Sequence, residues 1–516
     1  MGAVLHRISA RRARAAEPPR IDGDTAVVSA FLSDAAHVPG GYASGVTFPR
    51  DEGEIAAIVT TASRVLPVGA QSSLTGGATP RGDVVLGTRA LTAIGDVLHG
   101  LVRVGAGVPL VDLQRTLASQ GWYYPPVPTY DGAFVGGTIA TNAAGAATFK
   151  YGSTRPWVDA LTVVLATGDV LDIQRGEVTA GTDGRLEIVL PSGEHVRIPV
   201  PTYRMPDVPK LSAGYYAHPG MDPIDLFIGS EGTLGVIAAA TLRVVPRPRR
   251  SLVLIRCNDD DQAIAVTAAL RIDAREAWQG RGPLDVAAIE YMDERALRAV
   301  PDDAFARAGV GRPPAGSVLL LVQVETGSDD DAALERLAAL LATHGVADDP
   351  RIAGPEDERG ARRLLDLREA VPASVNAIVA AAKARVDPGI HKTAGDMIVP
   401  FNRLADSIAL YRSLFAARGL DYAIWGHVSD GNLHPNVVPR SMDDVERGQD
   451  AILEMAHAVM AMGGAPLAEH GVGRSALKQR LLRELYGDDG IAQMRAVKRA
   501  LDPDWKLAPG VLFEPA

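Results

Sequence analysis

Apolar positions along the chain fall into short runs separated by glycine, proline and charge, and the period of each run predicts its element. DEGEIAAIVTTASR (51–64) carries acidic residues in its first turn and reads as a helix. RVLPVG and GDVVLG read as short buried strands; LVRVGAGVPLVDLQRTLASQG reads as strand, glycine turn and a helix stopping at Gly121. WVDALTVVLATGDVLDI (157–173) predicts a β-hairpin around Thr167-Gly168-Asp169. A strand group follows near 187–200, and IAAATLRVVPRP closes this block at residue 248.

From residue 251 the texture changes. SLVLIRC is a strand, DQAIAVTAALRIDAREA a helix, VAAIEYMD and SVLLLVQVE strands, and DAALERLAALLATHG a helix. That recurrence predicts an α+β domain with helices on one sheet face. Helices over 355–386 and 403–418 precede the strand DYAIWGHV. DDVERGQDAILEMAHAVMAMG is a long helix, and LDPDWKLAPGVLFEPA an extended closing segment.

Length and composition narrow the class. A chain of 516 residues exceeds one compact core and predicts two to four domains. With 47% hydrophobic and 22% charged residues and a net charge of −10, it reads as a globular protein and not as a general nucleic-acid binder. Cys257 is the only cysteine, which excludes an internal disulfide or thiolate cluster and fits a reducing cytoplasm. The N-terminus, MGAVLHRISARRARAAEPPR, has no apolar core of a secretory signal. It reads as a solvated arm, with a peripheral contact to anionic lipid as the alternative. No apolar run is long enough to cross a bilayer.

Three polar, small-residue loops share the first block. PVGAQSSLTGG (67–77) follows a strand and offers Pro67, Gly69, Ala70, Gln71, Ser72, Ser73, Leu74, Thr75 and Gly76. Glycines let backbone N–H groups converge on an anion, and a diphosphate is the natural guest. No Gly-Lys-Ser/Thr follows, so it is not a nucleotide-hydrolysing phosphate loop. RVGAGVPLVDL has Leu110 where a dinucleotide fingerprint needs its third glycine, which excludes that site. The second loop, within 125–158, collects Pro128, Gly136, Gly137, Thr138, Thr141, Asn142, Gly145 and Gly152; its small residues let the backbone lie against a flat ring. The third, FIGSEGTLGVI, carries Glu231, Gly232, Gly235, Val236 and Ile237.

WGHVSDGNLHPN (425–436) sets His427 and His434 seven apart around Asp430-Gly431. One unbroken strand would send them to opposite faces. A tight Asp-Gly hairpin folds the two arms together and lets the imidazoles meet. Ordinary hydrogen-bonded histidines satisfy the same twelve residues.

Together these segments resemble the vanillyl-alcohol-oxidase/p-cresol-methylhydroxylase flavoprotein superfamily. The motif order is that of its FAD-dependent D-2-hydroxy-acid dehydrogenase branch: the phosphate loop, GGTIATNAAG, KYG, GSEGTLG, GHxxDGNLHxN, EHGVG and a terminal DP…PG. The resemblance covers nearly the whole chain from residue 40. It implies an α+β, two-domain flavoprotein: an N-terminal arm (1–39), a PCMH-type FAD-binding domain (40–250, completed by 491–516) and an FAD-linked-oxidase C-terminal cap (251–490). It further implies that the three loops hold FAD. No histidine lies in 67–77, so the FAD is expected to be non-covalent.

In this family the paired histidines and the glutamate of Glu-His-Gly bind a divalent metal, which assigns His427, His434 and Glu469 as ligands of zinc, manganese or iron(II). Two histidines and a carboxylate with open positions suit catalysis. His470 is then the base, Asn436 a substrate hydrogen-bonding group, and Arg368 and Lys392 the cations for the substrate carboxylate. The implied reaction oxidises a D-2-hydroxy acid, D-lactate first and D-2-hydroxyglutarate or glycolate behind it. An acceptor (quinone, cytochrome, electron-transfer flavoprotein or oxygen) takes the electrons. The oligomeric state, a homodimer included, stays open. The rivals are an alkylglycerone-phosphate-synthase-like FAD transferase and a zinc hydrolase. Two positions depart from the family pattern: Ser429 stands for a glycine and Ala508 for an asparagine.

Overall fold

In the computed structural model, which describes residues 7–326 and 330–515, the predicted strands of the first block pair into small sheets. Tyr42–Thr47, Arg81–Gly87 and Val65–Val68 form a parallel three-stranded sheet. Parallel neighbours need a crossover, and the helix Glu52–Thr61 supplies one, its N-terminus capped by the Asp51 carboxylate accepting Glu54 N–H. The C-terminal tail returns to this sheet: Val65 N–H donates to Lys506 O, and Ala508 N–H to Val65 O. An antiparallel sheet lies beside it, in the order Arg11–Arg12, Asp169–Gln174, Val158–Val164, Val236–Arg243, Leu101–Gly105. The predicted 157–173 hairpin is its centre.

Residues 7–12 are not a free arm. Arg7–Ser9 pairs in parallel with Arg185–Val189, and Arg11–Arg12 pairs with Asp169–Gln174. The arginines that read as solvated find carboxylates: Arg7 engages Glu187, and Arg11 engages Asp172 and Glu52. The first six residues lie outside the described residues.

Among the described residues the second block forms one eight-stranded sheet, ordered Arg351–Ala353, Arg249–Cys257, Val318–Thr326, Asp285–Met292, Tyr422–His427, Asn432–Val437, Thr393–Ala394, with Met397–Ile398 also pairing with Asn432–Val437. Alternation divides its residues between two faces. Val253, Ile255, Ile289, Tyr291 and Ile424 join the main core, which also contains residues of the helices Asp260–Trp278 and Leu404–Ala417. Leu252, Leu254, Met292, Leu321 and Trp425 face the long helix Glu358–Arg385 through Leu364, Leu367 and Val371. Helices thus cover both faces, not the one predicted. Pro372 sits inside the long helix and, lacking an N–H, leaves the carbonyl of Arg368 without its helical donor.

The helix Ala476–Leu501 was not legible in the sequence. Gly487, at φ +70, interrupts it beside a polar Asp-Asp-Gly step, so no single apolar period runs through it. Among the described residues no helix is long and apolar enough to cross a membrane.

Candidate active site

The two histidines meet, but by a longer turn than Asp-Gly alone predicts. A short 3-10 turn, Val428–Asp430, and Gly431 at φ +84 make a four-residue loop between the strands Tyr422–His427 and Asn432–Val437. His427 then pairs with Asn432 and His434 with Trp425. Cross-strand partners share a face, so His427, Trp425, Asn432 and His434 all point the same way. The odd spacing of seven is what an even-numbered loop requires. A methyl group on Gly431 would come within 2.2 Å of Val399 O, so the turn demands glycine on space and on φ alike. Ser429, where the resemblance leads one to expect glycine, fits this turn: its buried hydroxyl accepts the N–H of Ile289 at 3.2 Å.

Glu469 reaches the same face from the loop before the helix Ala476–Leu501. Its Oε1 lies 3.1 Å from His427 Nε2 and 3.3 Å from His434 Nε2. Glu290 turns the His427 ring so that its Nε2 faces Glu469. His427 Nδ1 is 2.8 Å from Glu290 Oε1, and His434 Nδ1 is 3.6 Å from Asp396 Oδ1. His470 stacks on His434 with centroids 4.9 Å apart. Asp396, His434, Glu469 and His470 also present ligand atoms within 4.8 Å of one another. Asp396, however, is already engaged, its Oδ2 accepting the N–H of both Glu469 and His470 and its Oδ1 facing Asn432 Nδ2. It therefore reads as the anchor of the Glu469-His470 loop.

Charge alternates through this buried cluster. Glu369 and Glu290 flank Arg368, Glu290 and Glu469 flank His427, and Lys210 lies 2.7 Å from Glu469 and 3.2 Å from Asp430. Burial alone would push Glu469 up, but Lys210 and then His427 hold it well below the usual carboxylate range. Burial likewise opposes ionisation of Glu290, and Arg368 overcomes it, bringing Glu290 down to about 2. Burial disfavours a charged His427, yet Glu290 and Glu469 raise it to about 9. A site that stabilises positive charge at Nε2 of His427 also suits a cation bound there. His434 Nδ1 is buried without a hydrogen-bond partner. The donor set, two imidazoles and one carboxylate, fits a divalent ion.

The remaining expected residues divide. His470 is pushed down to about 4, chiefly by burial, and is neutral at neutral pH. Asn436 is buried on the histidine face, its amide donating to His434 O and its Oδ1 without a partner. Lys392 has no carboxylate partner among the described residues, lies 5.5 Å from the Trp425 ring centroid, and is lowered by burial to about 8. Arg368 departs from its expected role. Its Nε and Nη2 donate to Glu290 Oε2 and its Nη1 to Glu369, so it is held in place before any substrate arrives. Glu290, Asp396 and Lys210 were missed from sequence. A lone glutamate in the apolar run VAAIEYMD was the one available signal.

The glycine-rich loops belong to the first block. Loop 67–77 leaves the strand Val65–Val68; among the described residues no protein acceptor takes the N–H groups of Ala70 through Leu74. Gln71 and Ser73 spend their side chains on the protein, Gln71 donating to the carbonyls of Ala30 and Ser33, and Ser73, within the loop, accepting the N–H of Thr75 and Gly77. Gly232 packs on Pro67. In the second loop the hydroxyls of Thr138 and Thr141 donate back to Val135 and Gly137, and Asn142 Nδ2 donates to Leu211 O. A Cβ on Gly137 would meet nothing within 4 Å, as a surface facing a ring requires, whereas one on Gly145 would strike Val127 O beside Pro128. Gly235, Val236 and Ile237 instead pack in the sheet, and Gly152 ends the helix Thr148–Tyr151. The free N–H run and the open Gly137 face fit a diphosphate with an attached ring system.

Cofactor loop and histidine side are in direct contact. Arg474 N–H donates to Thr75 O, and a methyl on Gly473 would lie 2.4 Å from Thr75 O. Glu231 accepts the N–H of Val472 and Gly473, both at 2.8 Å.

Comparison with known proteins agrees with this layout. The family model described as FAD linked oxidases, C-terminal domain, matches residues 249–512, and the FAD binding domain model matches 43–174. The chain is 29% identical to the glycolate oxidase subunit GlcD of Bacillus subtilis (strain 168), covering 96% of this chain and 94% of that one. It is 29% identical to a D-2-hydroxyglutarate dehydrogenase of Xanthomonas citri pv. viticola, covering 91% and 89%. It is 27% identical to a D-lactate dehydrogenase of Anaerostipes hadrus, covering 89% and 86%. A solved alkyldihydroxyacetonephosphate synthase shares the fold, with a TM-score of 0.61 at 14% identity over 97% of this chain and 88% of that one. The chain belongs to the FAD-linked oxidase family and is an FAD-dependent oxidoreductase.

Proposed function

We propose that the protein oxidises a D-2-hydroxy acid to the 2-oxo acid, with D-lactate as lead substrate and D-2-hydroxyglutarate and glycolate next. One observation carries this reading: His427, His434 and Glu469 converge on one point, with His470 stacked beside them, on a loop that packs against the glycine-rich cofactor loop. His427, His434 and Glu469 would hold a divalent ion, zinc first, and loops 67–77, 136–145 and 229–235 the FAD. When bound, FAD would supply an acceptor for the C2 hydride, and the ion would supply Lewis-acid stabilisation of the developing alkoxide.

The chain's own residues supply the rest. His470, neutral, takes the hydroxyl proton; its Nδ1 lies 3.5 Å from Asp396 Oδ2, and that carboxylate steadies the imidazolium. Lys392 is the cation left for the substrate carboxylate, because Arg368 is engaged by Glu290 and Glu369. Arg368 keeps Glu290 on His427 and offers only its remaining N–H donors to substrate. Asn436, its carbonyl oxygen free on the histidine face, is a further hydrogen-bonding group for the substrate. Relatives named for glycolate, D-2-hydroxyglutarate and D-lactate support the substrate class.

The test is the visible spectrum of the purified protein under anaerobic conditions, before and after D-lactate. Bleaching of a flavin spectrum is expected. Bleaching only by a larger hydroxy acid would reassign the substrate; a flavin unmoved by all of them would overturn the dehydrogenase reading in favour of the transferase.

A further inference from the structure

Lys210 has no place in the chemistry above, yet its environment is unusual for a lysine. It is 2% exposed, and lysines are almost never buried unless paired. It comes from the cofactor-side run 200–223, and its neighbours are stitched to the ring-facing loop. Asn142 Nδ2 donates to Leu211 O at 3.2 Å, and Ser212 Oγ to Thr141 O at 2.8 Å. Its ammonium leaves that loop and crosses to the histidine side, 2.7 Å from Glu469 Oε2 and 3.2 Å from Asp430 Oδ2.

The two oxygens of Glu469 are thereby divided. Oε2 faces Lys210, and Oε1 faces His427 and His434. We propose that Lys210 is a positioning residue of the metal centre: by holding Oε2 it leaves Oε1 alone to meet the two imidazoles, and it ties the Glu469 carboxylate to the cofactor-lining loop. This rests on the metal reading above.

Two effects oppose each other when Lys210 is removed. A cation beside a ligand oxygen weakens the pull of that carboxylate on a metal, so on charge alone its loss would tighten binding. Its loss also leaves Glu469 and Asp430 as two buried carboxylates without their shared counter-ion, free to swing apart. Partners that orient a metal ligand are typically worth about 10- to 100-fold in affinity. Orientation is the larger effect here, because Glu469 contributes the point on which both imidazoles converge.

The experiment compares zinc affinity, by competition with a chromogenic chelator, in the parent, Lys210→Met and Lys210→Arg proteins carrying FAD. Flavin content is measured alongside, since a merely structural defect would lower both. Lys210→Met is expected to retain FAD and to bind zinc about 10- to 100-fold more weakly. Lys210→Arg, which keeps the charge and changes the shape, is expected to fall between it and the parent. Zinc bound by Lys210→Met as tightly as by the parent, or more tightly, overturns the proposal. Should Lys210→Met lose its FAD, parent-like affinity in Lys210→Arg overturns it equally. A parent protein that takes up no zinc overturns the metal reading and this proposal together, a result distinct from failure in the variants alone.

Discussion

At the residue scale, the side chains proposed to do the chemistry were legible in the sequence and those that hold them in place were not. His427, His434, Glu469 and His470 stand in compact motifs, and each motif names its own members. Glu290, Asp396 and Lys210 act across space, from positions 137, 73 and 259 residues away from the groups they hold. Nothing local marks them except a carboxylate or ammonium where burial makes one costly. Ala508 shows the converse. Ala508, where the resemblance leads one to expect asparagine, adopts φ +43, a conformation asparagine tolerates better than alanine. Lys392 yields a pH prediction. Its folded value, about 8, lies below the ordinary lysine range, so the free enzyme loses this ammonium as pH rises through 8. KM for the hydroxy acid should therefore climb above that pH, approaching tenfold per unit, because a neutral amine cannot hold a carboxylate. Lys392→Met should raise KM and flatten the profile. A parent KM constant between pH 7 and 10 would remove Lys392 from substrate binding.

At the element scale, most strands and the long helices followed from hydrophobic period. The expected helices over 355–386 and 403–418 appear as Glu358–Arg385 and Leu404–Ala417. The failures have physical causes. Arg7–Ser9 and Arg11–Arg12 are too short and too basic to show a strand period, and they are strands because acidic neighbours receive them. Ala476–Leu501 is hidden by its glycine break. The histidine hairpin was expected as a two-residue turn and has four, because the Val428–Asp430 turn precedes the glycine. Gly431→Ala tests that turn. The left-handed φ alone costs about 1–2 kcal/mol, and contact with the Val399 carbonyl adds to it. The variant should unfold at lower denaturant and carry less metal, whereas unfolding like the parent would show that the turn relaxes freely.

At the scale of the whole molecule, the expected pairing of a cofactor-binding half with a cap half describes the sheets well, but sequence could not show how the halves lock. Lys150 and Tyr151, from the KYG motif, both engage the buried Glu325 of the cap sheet, at 2.7 and 2.5 Å; Lys150 also bonds Asp285, and Arg250 lies 3.3 Å from Glu325. Removing one member of a buried ionic network leaves the others uncompensated, at about 3–5 kcal/mol. Glu325→Ala should lower unfolding stability by that order in chemical denaturation, and a loss under about 1 kcal/mol would show the latch to be incidental. The halves also meet where Gly473 lies on Thr75 and Lys210 on Glu469, so the glycine-rich loop and the proposed metal centre are contiguous. The most direct test of that joint site is anaerobic flavin reduction by D-lactate after metal removal with a chelator, and again after zinc is returned. The flavin should keep its oxidised spectrum in the chelated protein despite added substrate and bleach once zinc is restored. A chelated, metal-free protein whose flavin bleaches at the parent rate would contradict the assignment of His427, His434 and Glu469 to the chemistry.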